Sequence, residues 1–373
     1  MKCDKFLIYT LLVICTIDLS APIIVYGTQI IGVTAVAILM VFKRNIFNLQ
    51  GFILFLVVSL FLLIISYVQE SNLKYSSMIW LYTLRTLYWI FLFVIIYPYI
   101  KSVSRVDLMC SLRCWIVIYS IFLFYQYINY YFFNVVIDYS VLLGGEPSRM
   151  FNNLGLRPSG LTSEPSIYSG IMISLLSLYY FLNGNRNTVV IYIGIFSIFF
   201  TYSTLGILLA IAFLIVTNLK KINAKSVSVL IFSFVLVCIY FLPSILSRFD
   251  KISTGSDVSN NIKFEVVQGL FNESSIMLLG YGLIGNSPDA PAYYQALYDL
   301  TYFGNLIVIF GLPIGIIFIA ISLYFLLRSS FTYSEKIIIL LTLVKITIPN
   351  FIFFYFLLAM LLYCNDFRRC YLR

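Results

Sequence analysis

Residues 157–166 read Arg-Pro-Ser-Gly-Leu-Thr-Ser-Glu-Pro-Ser, and they mark the point at which a polar loop turns into a long apolar run. Arg157 and Glu164 therefore lie at a boundary where a charged side chain is costly unless the protein uses it. Glu164 and Pro165 suit the first turn of a helix, because acidic side chains and proline are both favoured there. Arg157 does not suit that position, because the positive end of the helix dipole repels a cation. The stretch predicts the start of a membrane helix and a separate role for Arg157.

The composition excludes a water-soluble domain. Of the 373 residues, 61% are hydrophobic and 10% are charged, whereas soluble domains carry about 25% charged residues. The apolar runs are continuous rather than alternating, which excludes a transmembrane β-barrel. One spanning helix needs roughly 20 apolar residues. The sequence therefore predicts an all-α, polytopic integral membrane protein with about 12 (10–12) transmembrane helices in a single membrane domain, residues 1–373.

Breaks in the apolar pattern set the predicted helices. Three runs are too long for one helix and contain turn signals, so each predicts two helices, and the breaks fall at Asp18–Gly27, Thr201–Thr204 and Pro349–Asn350. The predicted spans are 6–42 as a pair, 52–68, 77–100, 114–133, 166–182, 188–219 as a pair, 226–242, 301–327 and 337–363 as a pair.

The net charge of +9 indicates membrane orientation rather than nucleic-acid binding. Most lysines and arginines fall in short loops between apolar runs, which the positive-inside rule places in the cytoplasm. The two long loops, about 134–165 and 243–300, are then extracytoplasmic. In the second of them, residues 260–271 place apolar side chains on one helical face, which predicts an amphipathic helix lying on the membrane surface.

Several kinds of site are excluded by residues that the sequence lacks. It has no histidine, which removes the commonest general base and the commonest metal ligand. None of the seven cysteines falls in a long loop, so no disulfide framework is indicated. Cys110 and Cys114 have metal-like spacing without further clustered ligands, and neither an Asp-x-Asp pair nor a P-loop occurs. We expect no metal and no cofactor.

Residues 157–166 resemble the Arg-x-Ser-Gly-x-x-x-Glu-Pro-Ser element of bacterial O-antigen and capsule repeat-unit polymerases, the Wzy class of the O-antigen ligase–polymerase superfamily. Three further stretches are similar to features of that class: the Thr-x-Ser turn at 201–206, the Gly-x-Gly at 279–282 and the glycine-rich step at 311–315. The likeness extends over nearly the whole chain in layout and is most specific at 157–166.

The resemblance implies an enzyme of surface-polysaccharide and lipopolysaccharide biosynthesis in a bacterial inner membrane. Such an enzyme joins undecaprenyl-diphosphate-linked oligosaccharide repeat units at the periplasmic face, by metal-independent glycosyl transfer with polyprenyl diphosphate as leaving group. Its expected partners are the lipid-linked oligosaccharide, membrane lipid and a chain-length regulator protein, and no nucleic acid.

The chemistry of that reaction selects candidate residues. Arginine suits the departing diphosphate, because its charge is fixed and its donors form a bidentate fork. A carboxylate suits the deprotonation of the acceptor hydroxyl in a chain without histidine. The predicted catalytic residues are Arg157 and Glu164, and the predicted substrate-binding residues are Arg85, Arg248 and Asp299.

Four charged residues, two of them among these candidates, have a simpler explanation than substrate binding. Arg149 is predicted to be a solvated loop residue, and Lys345 to extend to the membrane interface rather than to bind. Arg248 alternatively forms a local ion pair with Asp250. Asp299 alternatively interacts with the positive end of the dipole of the helix that follows it, without contacting substrate.

Two alternative functions remain open. An O-antigen ligase has a similar layout, but the ligases that resemble this chain carry a histidine in the second long loop, which is absent here. A lipid-linked oligosaccharide flippase or a secondary transporter is the second alternative, although no internal repeat is evident and long polar loops suit a transporter poorly.

Overall fold

The computed structural model describes residues 2–44, 48–72, 79–152, 155–218, 258–284, 294–346, 349 and 351–371. The fold in these ranges is all-α apart from one short hairpin, as predicted. Six of the described helices are long and apolar enough to cross a membrane: Ile23–Lys43, Leu49–Asn72, Ile79–Ser102, Arg105–Phe133, Pro165–Leu182 and Tyr302–Arg328. The total of about twelve spans stays a prediction.

The first part of the chain contains α1 (Lys2–Thr16), a π-helix (Ile23–Gly32) that continues into α2 (Val33–Arg44), α3 (Leu49–Asn72), α4 (Ile79–Ser102) and α5 (Arg105–Phe133). The predicted break at Asp18 lies between α1 and the π-helix, whereas Gly27 lies within the π-helix. The predicted loop at 101–113 is mostly helical, because Ser104 caps α5 by accepting a hydrogen bond from the Asp107 backbone N–H at 3.1 Å.

The first long loop contains α6 (Tyr139–Leu142) and an antiparallel hairpin of β1 (Phe151–Asn152) and β2 (Gly155–Leu156). The helices after it are α7 (Pro165–Leu182), α8 (Val189–Phe200), α9 (Thr204–Asn218), α10 (Val258–Asn272), α11 (Ser274–Leu279), a 3₁₀ helix (Tyr294–Tyr298), α12 (Tyr302–Arg328), α13 (Tyr333–Thr342) and α14 (Ile352–Tyr371). The predicted breaks at 201–204 and near Pro349 are confirmed. Helix α10 covers the predicted helix at 260–271, and its place on the membrane surface stays a prediction. The predicted helix at 226–242 lies outside the described residues.

The central helix of the described bundle is α7, the helix that begins within 157–166. It packs against α5, α8, α9, α13 and α14, and every side chain from Tyr168 to Leu182 is buried. Small residues permit this close packing, since a Cβ at Gly194 of α8 would lie 2.7 Å from a methyl group of Leu176. Glu164, immediately before α7, is therefore attached to the best-packed element of the fold.

Helix α12 is interrupted at Gly311, where φ is +79°. Pro313 has no N–H, so the Ile309 carbonyl loses its helical partner. The backbone after α11 replaces it: Gly282 N–H donates to Ile309 O at 3.1 Å, and Tyr281 N–H donates to Val308 O at 2.8 Å. The two glycine-containing stretches singled out in the sequence, 279–282 and 311–315, are thus in direct backbone contact.

A buried glutamine completes this junction. The amide of Gln69 in α3 donates to Leu279 O at 2.6 Å and to Ile309 O at 2.9 Å. The side chain is 1% exposed, so these bonds satisfy carbonyl oxygens that water does not reach. The kink in α12 is a fixed feature that anchors the second long loop to the bundle.

We expect Gly311→Ala to destabilise the protein by roughly 2–5 kcal/mol, because it combines backbone strain with overpacking. The positive φ disfavours any side chain, and a Cβ there would overlap the Leu278 carbonyl oxygen. Thermal unfolding of the purified protein in detergent measures the effect. Gly27→Ala is the control, since its nearest contact would be an ordinary 3.7 Å. Equal melting temperatures for the two variants would contradict the assignment.

At the opposite end of α7, a buried polar network joins three segments. Glu335 accepts hydrogen bonds from Arg368 Nη1 at 2.7 Å and from Asn185, while Arg368 Nη2 donates to Asn185 Oδ1 at 3.1 Å. Glu335 also caps α13 by accepting from Thr332 N–H at 2.7 Å. Its side chain is 1% exposed, so the network holds the ends of α7, α13 and α14 together in a dry environment.

Candidate functional site

The loop before residues 157–166 is folded by its own hydrogen bonds. Asp138 accepts from Ser140 N–H at 2.9 Å, from Ser148 N–H at 2.7 Å and from the Ser148 hydroxyl at 2.8 Å. This turn and the following hairpin bring the chain back on itself, and Arg157 N–H donates to Met150 O at 2.6 Å. The loop is therefore an ordered cover over the start of α7.

The hairpin places Arg149 beside Glu164. Arg149 N–H donates to Ser163 O at 2.8 Å, and the guanidinium pairs with a Glu164 carboxylate oxygen at 2.9 Å. Arg149 is a solvated loop residue, as predicted, with its side chain 66% exposed, and it also pairs with Glu164. The other Glu164 oxygen accepts from the Ser166 hydroxyl at 3.2 Å. Glu164 is thus oriented by a cation that sequence reasoning had set aside.

Gln126 of α5 holds the middle of the stretch from the protein interior. Its carbonyl oxygen accepts from Ser159 N–H at 3.1 Å and from Gly160 N–H at 2.8 Å, and its amide donates to Ile137 O at 3.0 Å. Gly160 has φ +58°, and a Cβ there would lie 2.9 Å from the Tyr168 ring. Gln126 was missed by the sequence analysis, although an amide inside an apolar run was a signal.

The break between α1 and the π-helix lies alongside residues 157–166 in a parallel β-bridge. Asp18 N–H donates to Leu161 O at 3.0 Å, and Ser163 N–H donates to Asp18 O at 2.6 Å. The Ser163 hydroxyl also donates to the Asp18 carboxylate at 3.1 Å. Asp18 had been used only as a helix-break signal, yet the structure makes it a neighbour of Glu164.

Two cations carried by other segments face Asp18. The charges of Arg85 on α4 and of Lys345, just after α13, both lower the pKa of Asp18. Burial is the larger influence and raises the pKa of Asp18 above its ordinary value, and the nearby Glu164 charge raises it further. The Nε atom of Arg85 is buried and has no hydrogen-bond partner among the described residues. Arg85, Lys345, Asp18 and Glu164 therefore belong to one electrostatic neighbourhood.

The raised pKa of Asp18 predicts a pH-dependent effect of Asp18→Asn. A carboxyl group whose pKa is raised by folding contributes stability below its unfolded pKa of about 3.9 and loses it as the pH rises through the folded value. The asparagine in the variant does not titrate, so the variant does not lose this contribution. The melting temperature of the variant should therefore increase relative to that of the wild type as the pH rises from about 4 to 7. Thermal unfolding across that range measures it. A constant difference would contradict the raised pKa.

Asp299 is held between two lysines. It pairs with Lys263 of α10 at 2.6 Å and with Lys345, whose side chain is 10% exposed. Burial alone would raise the pKa of Asp299, but the two ammonium groups outweigh burial and hold that pKa below its ordinary value. The prediction that Lys345 extends to the membrane interface stays a prediction, and the structure places its ammonium in this ion pair. Contact between Asp299 and substrate stays a prediction.

The turn between α8 and α9 borders the same end of α7. Thr201 Oγ1 accepts from Ser203 N–H at 3.2 Å and lies 3.3 Å from the Ser169 hydroxyl, one turn into α7. A Cβ at Gly206 would overlap that hydroxyl. Residues 201–206 therefore pack next to 157–166, although they are distant in sequence.

The described part of the site carries charges of both signs. Its cations are Arg85, Arg149, Arg157, Lys263 and Lys345, its carboxylates are Asp18, Glu164 and Asp299, and the loop before it also carries Asp138 and Glu146. Arg248, predicted to bind substrate, lies outside the described residues. Among the residues that the structure describes, no group of three or more Asp, Glu or Cys side chains could hold a metal ion. The arrangement suits an anionic ligand that meets a carboxylate at the edge of the bundle.

Comparisons of the chain with protein-family models, with curated proteins and with solved structures found no match.

Proposed function

We propose that the protein is a glycosyltransferase that polymerises undecaprenyl-diphosphate-linked oligosaccharide repeat units of a surface polysaccharide at the periplasmic face of a bacterial inner membrane. One observation carries the proposal: Arg149 pairs with Glu164 at the start of α7, and Arg85, within a candidate membrane-spanning helix, acts electrostatically on Asp18, which is hydrogen-bonded to the same stretch. Ionisable residues at membrane depth mark functional sites, and a diphosphate on a lipid carrier is an anion delivered at that depth.

In the proposed reaction, an acceptor sugar hydroxyl attacks the anomeric carbon of the donor glycan. A C–O bond forms there as the bond from the anomeric carbon to the diphosphate oxygen breaks, and the diphosphate leaves with the electron pair. Glu164 accepts the hydroxyl proton. Arg157 stabilises the negative charge that develops on the departing diphosphate, with Arg85 and Arg248 as further substrate-binding cations. Asp299 binds the sugar part of the substrate.

Arg149 has a positioning role in this proposal. Its ion pair fixes the direction of the Glu164 carboxylate, and the pair is exposed enough to open when a sugar enters, because Glu164 is 26% exposed. Exposed ion pairs of this kind contribute only about 0–1 kcal/mol, so opening the pair costs little compared with substrate binding.

A flippase for the same lipid-linked unit is the second candidate. It is favoured by one observation, the interruption of the membrane-spanning helix α12 at Gly311, since broken helices are common in transporters. The kink here is closed by backbone bonds from 281–282 and by Gln69, which favours a fixed junction over a moving gate.

Deleting the gene and analysing the surface glycan separates these functions. Loss of a polymerase leaves single repeat units on the cell surface, and expression of the chain restores the ladder. Loss of a ligase leaves polymer on the lipid carrier, and loss of a flippase leaves no glycan outside. Either of the last two results overturns the proposal.

A further inference from the structure

The ion-pair cluster of Lys263, Asp299 and Lys345 joins three segments that are far apart in sequence. Lys263 belongs to α10, Asp299 precedes α12, and Lys345 follows α13. Their side chains are 29%, 31% and 10% exposed, so three charges are largely withdrawn from water. One carboxylate serves two ammonium groups, which leaves the cluster with a net positive charge.

The stability of the fold does not explain this cluster. The two ammonium groups do stabilise the ionised Asp299, but packed apolar residues could join the same three segments at least as well as a largely buried ion-pair cluster does. Among the described residues, the two ammonium groups with their six protons share the single carboxylate of Asp299. An anion with several oxygens matches this donor set better than one carboxylate does.

The cluster lies below the Glu164 end of α7. A Cβ at Gly170 would lie 3.0 Å from the Cβ of Lys345, and Gly170 is six residues past Glu164, or about 9 Å along the helix. Arg85 is also six residues into its helix, α4, and faces Asp18 together with Lys345. Lys345 therefore lies beside the first turns of α7 beyond Glu164, and Arg85 is close enough to act on the same carboxylate, Asp18.

Helix α10, which carries Lys263, has both buried and exposed apolar side chains. Its buried side packs through Val266 and Leu270, whereas Phe264 and Phe271 are 69% and 61% exposed. An apolar surface next to Lys263 suits the prenyl chain of a lipid, and the lysine itself points to the anionic group of that lipid.

We propose that Lys263 and Lys345 bind the diphosphate of the prenyl-linked substrate, which takes over the place of the Asp299 carboxylate between them. The inference rests on the proposed function for the identity of the lipid. It adds two binding residues from the second long loop and from the end of α13. It also makes Asp299 a competitor of the diphosphate at this site.

If the two lysines bind diphosphate, Asp299→Asn should increase the affinity for diphosphate. If the cluster has only a structural role, the same substitution should decrease it. Removing either ammonium with Lys263→Met or Lys345→Met weakens diphosphate binding about tenfold or more, since each removes a charge-assisted hydrogen bond. Asp299→Asn removes the competitor and tightens binding several-fold. If the cluster only joins the three segments, Asp299→Asn instead loosens them and weakens binding as the lysine variants do.

The test uses the purified full-length protein in phospholipid nanodiscs, titrated with farnesyl diphosphate and with farnesyl monophosphate and followed by native mass spectrometry. Lys336→Met, at the other end of α13, is the matched control and should bind like the wild type. Lys345→Arg keeps the positive charge and should retain binding. Comparison with Lys345→Met therefore shows whether binding is lost with the charge or with the fold. We expect diphosphate to bind more tightly than monophosphate.

Three results would overturn the inference: wild-type affinity in both lysine variants, weakened binding in Asp299→Asn, or equal affinity for the two lipids. The outcome is independent of glycan synthesis. A protein that binds farnesyl diphosphate through these lysines but makes no polymer refutes the proposed function alone. A polymerase whose lysine variants bind normally refutes this inference alone.

Discussion

Glu164→Gln should reduce the rate of glycan polymerisation by about 10²–10⁴-fold, the usual contribution of a general base. Glutamine keeps the size and the hydrogen-bonding oxygen that the Ser166 hydroxyl contacts, but it cannot accept a proton from the acceptor sugar. Cells that express only this variant should display single repeat units in place of a ladder. Gel electrophoresis of the surface glycan measures the change.

Glu146→Gln provides the matched control for that experiment. Glu146 is an exposed carboxylate in the same loop, and its backbone N–H donates to Ser20 O at 3.3 Å. We expect its glycan ladder to match the wild type. A full ladder from Glu164→Gln at normal protein levels would remove Glu164 from the mechanism.

Arg368→Met should have the largest effect on folding, a loss of about 3–5 kcal/mol, because it leaves the Glu335 carboxylate buried without its cation. The Glu335 side chain is 1% exposed and also receives hydrogen bonds from Asn185 and from Thr332 N–H. These neutral donors do not replace the lost charge. Unfolding of the purified protein in mixed micelles measures the difference.

The double variant Glu335→Gln with Arg368→Met tests the cause. Glutamine is neutral and still accepts from Thr332 N–H, so most of the lost stability should return. Lys101→Met is the control at an exposed pair, since Lys101 is 58% exposed and lies 2.8 Å from Asp366. It should cost at most about 1 kcal/mol. A double variant as unstable as Arg368→Met alone would show that the packing of Arg368, and not its charge, stabilises the junction of α7, α13 and α14.

Hydropathy and turn signals located most of the described helices, because helix ends depend largely on local sequence, although the predicted loop at 101–113 is helical from Arg105. The start of α7 at Pro165, the turn after Phe200 and the amphipathic helix α10 were all predicted close to their observed limits. The interior of the loop at 134–165 was not, since α6 and the hairpin depend on hydrogen bonds such as those of Asp138. The kink at Gly311 was marked by its glycines, but its partner at 279–282 was not predictable from spacing.

The candidate site was predicted only in part, because charges that meet in space lie far apart in sequence. Arg157, Glu164, Arg85 and Asp299 were identified from position and chemistry, and the structure places Glu164 with Arg149 and Asp299 with lysines. Asp18 and Lys345 carried a usable signal, each being an ionisable residue inside an otherwise apolar run. Their partners depend on the bridge between Asp18 and Thr162 and on the packing of α13 against α7, which no local pattern encodes.

The most direct measurement is an assay with the purified protein in nanodiscs, supplied with a prenyl-diphosphate-linked repeat unit as both donor and acceptor. Release of prenyl diphosphate and the length of the glycan are followed together. We expect the wild type to produce a ladder with one diphosphate released for each bond formed, and Arg157→Ala to produce neither. A ladder of normal length from Arg157→Ala, or no ladder from the wild type, would contradict the proposed activity.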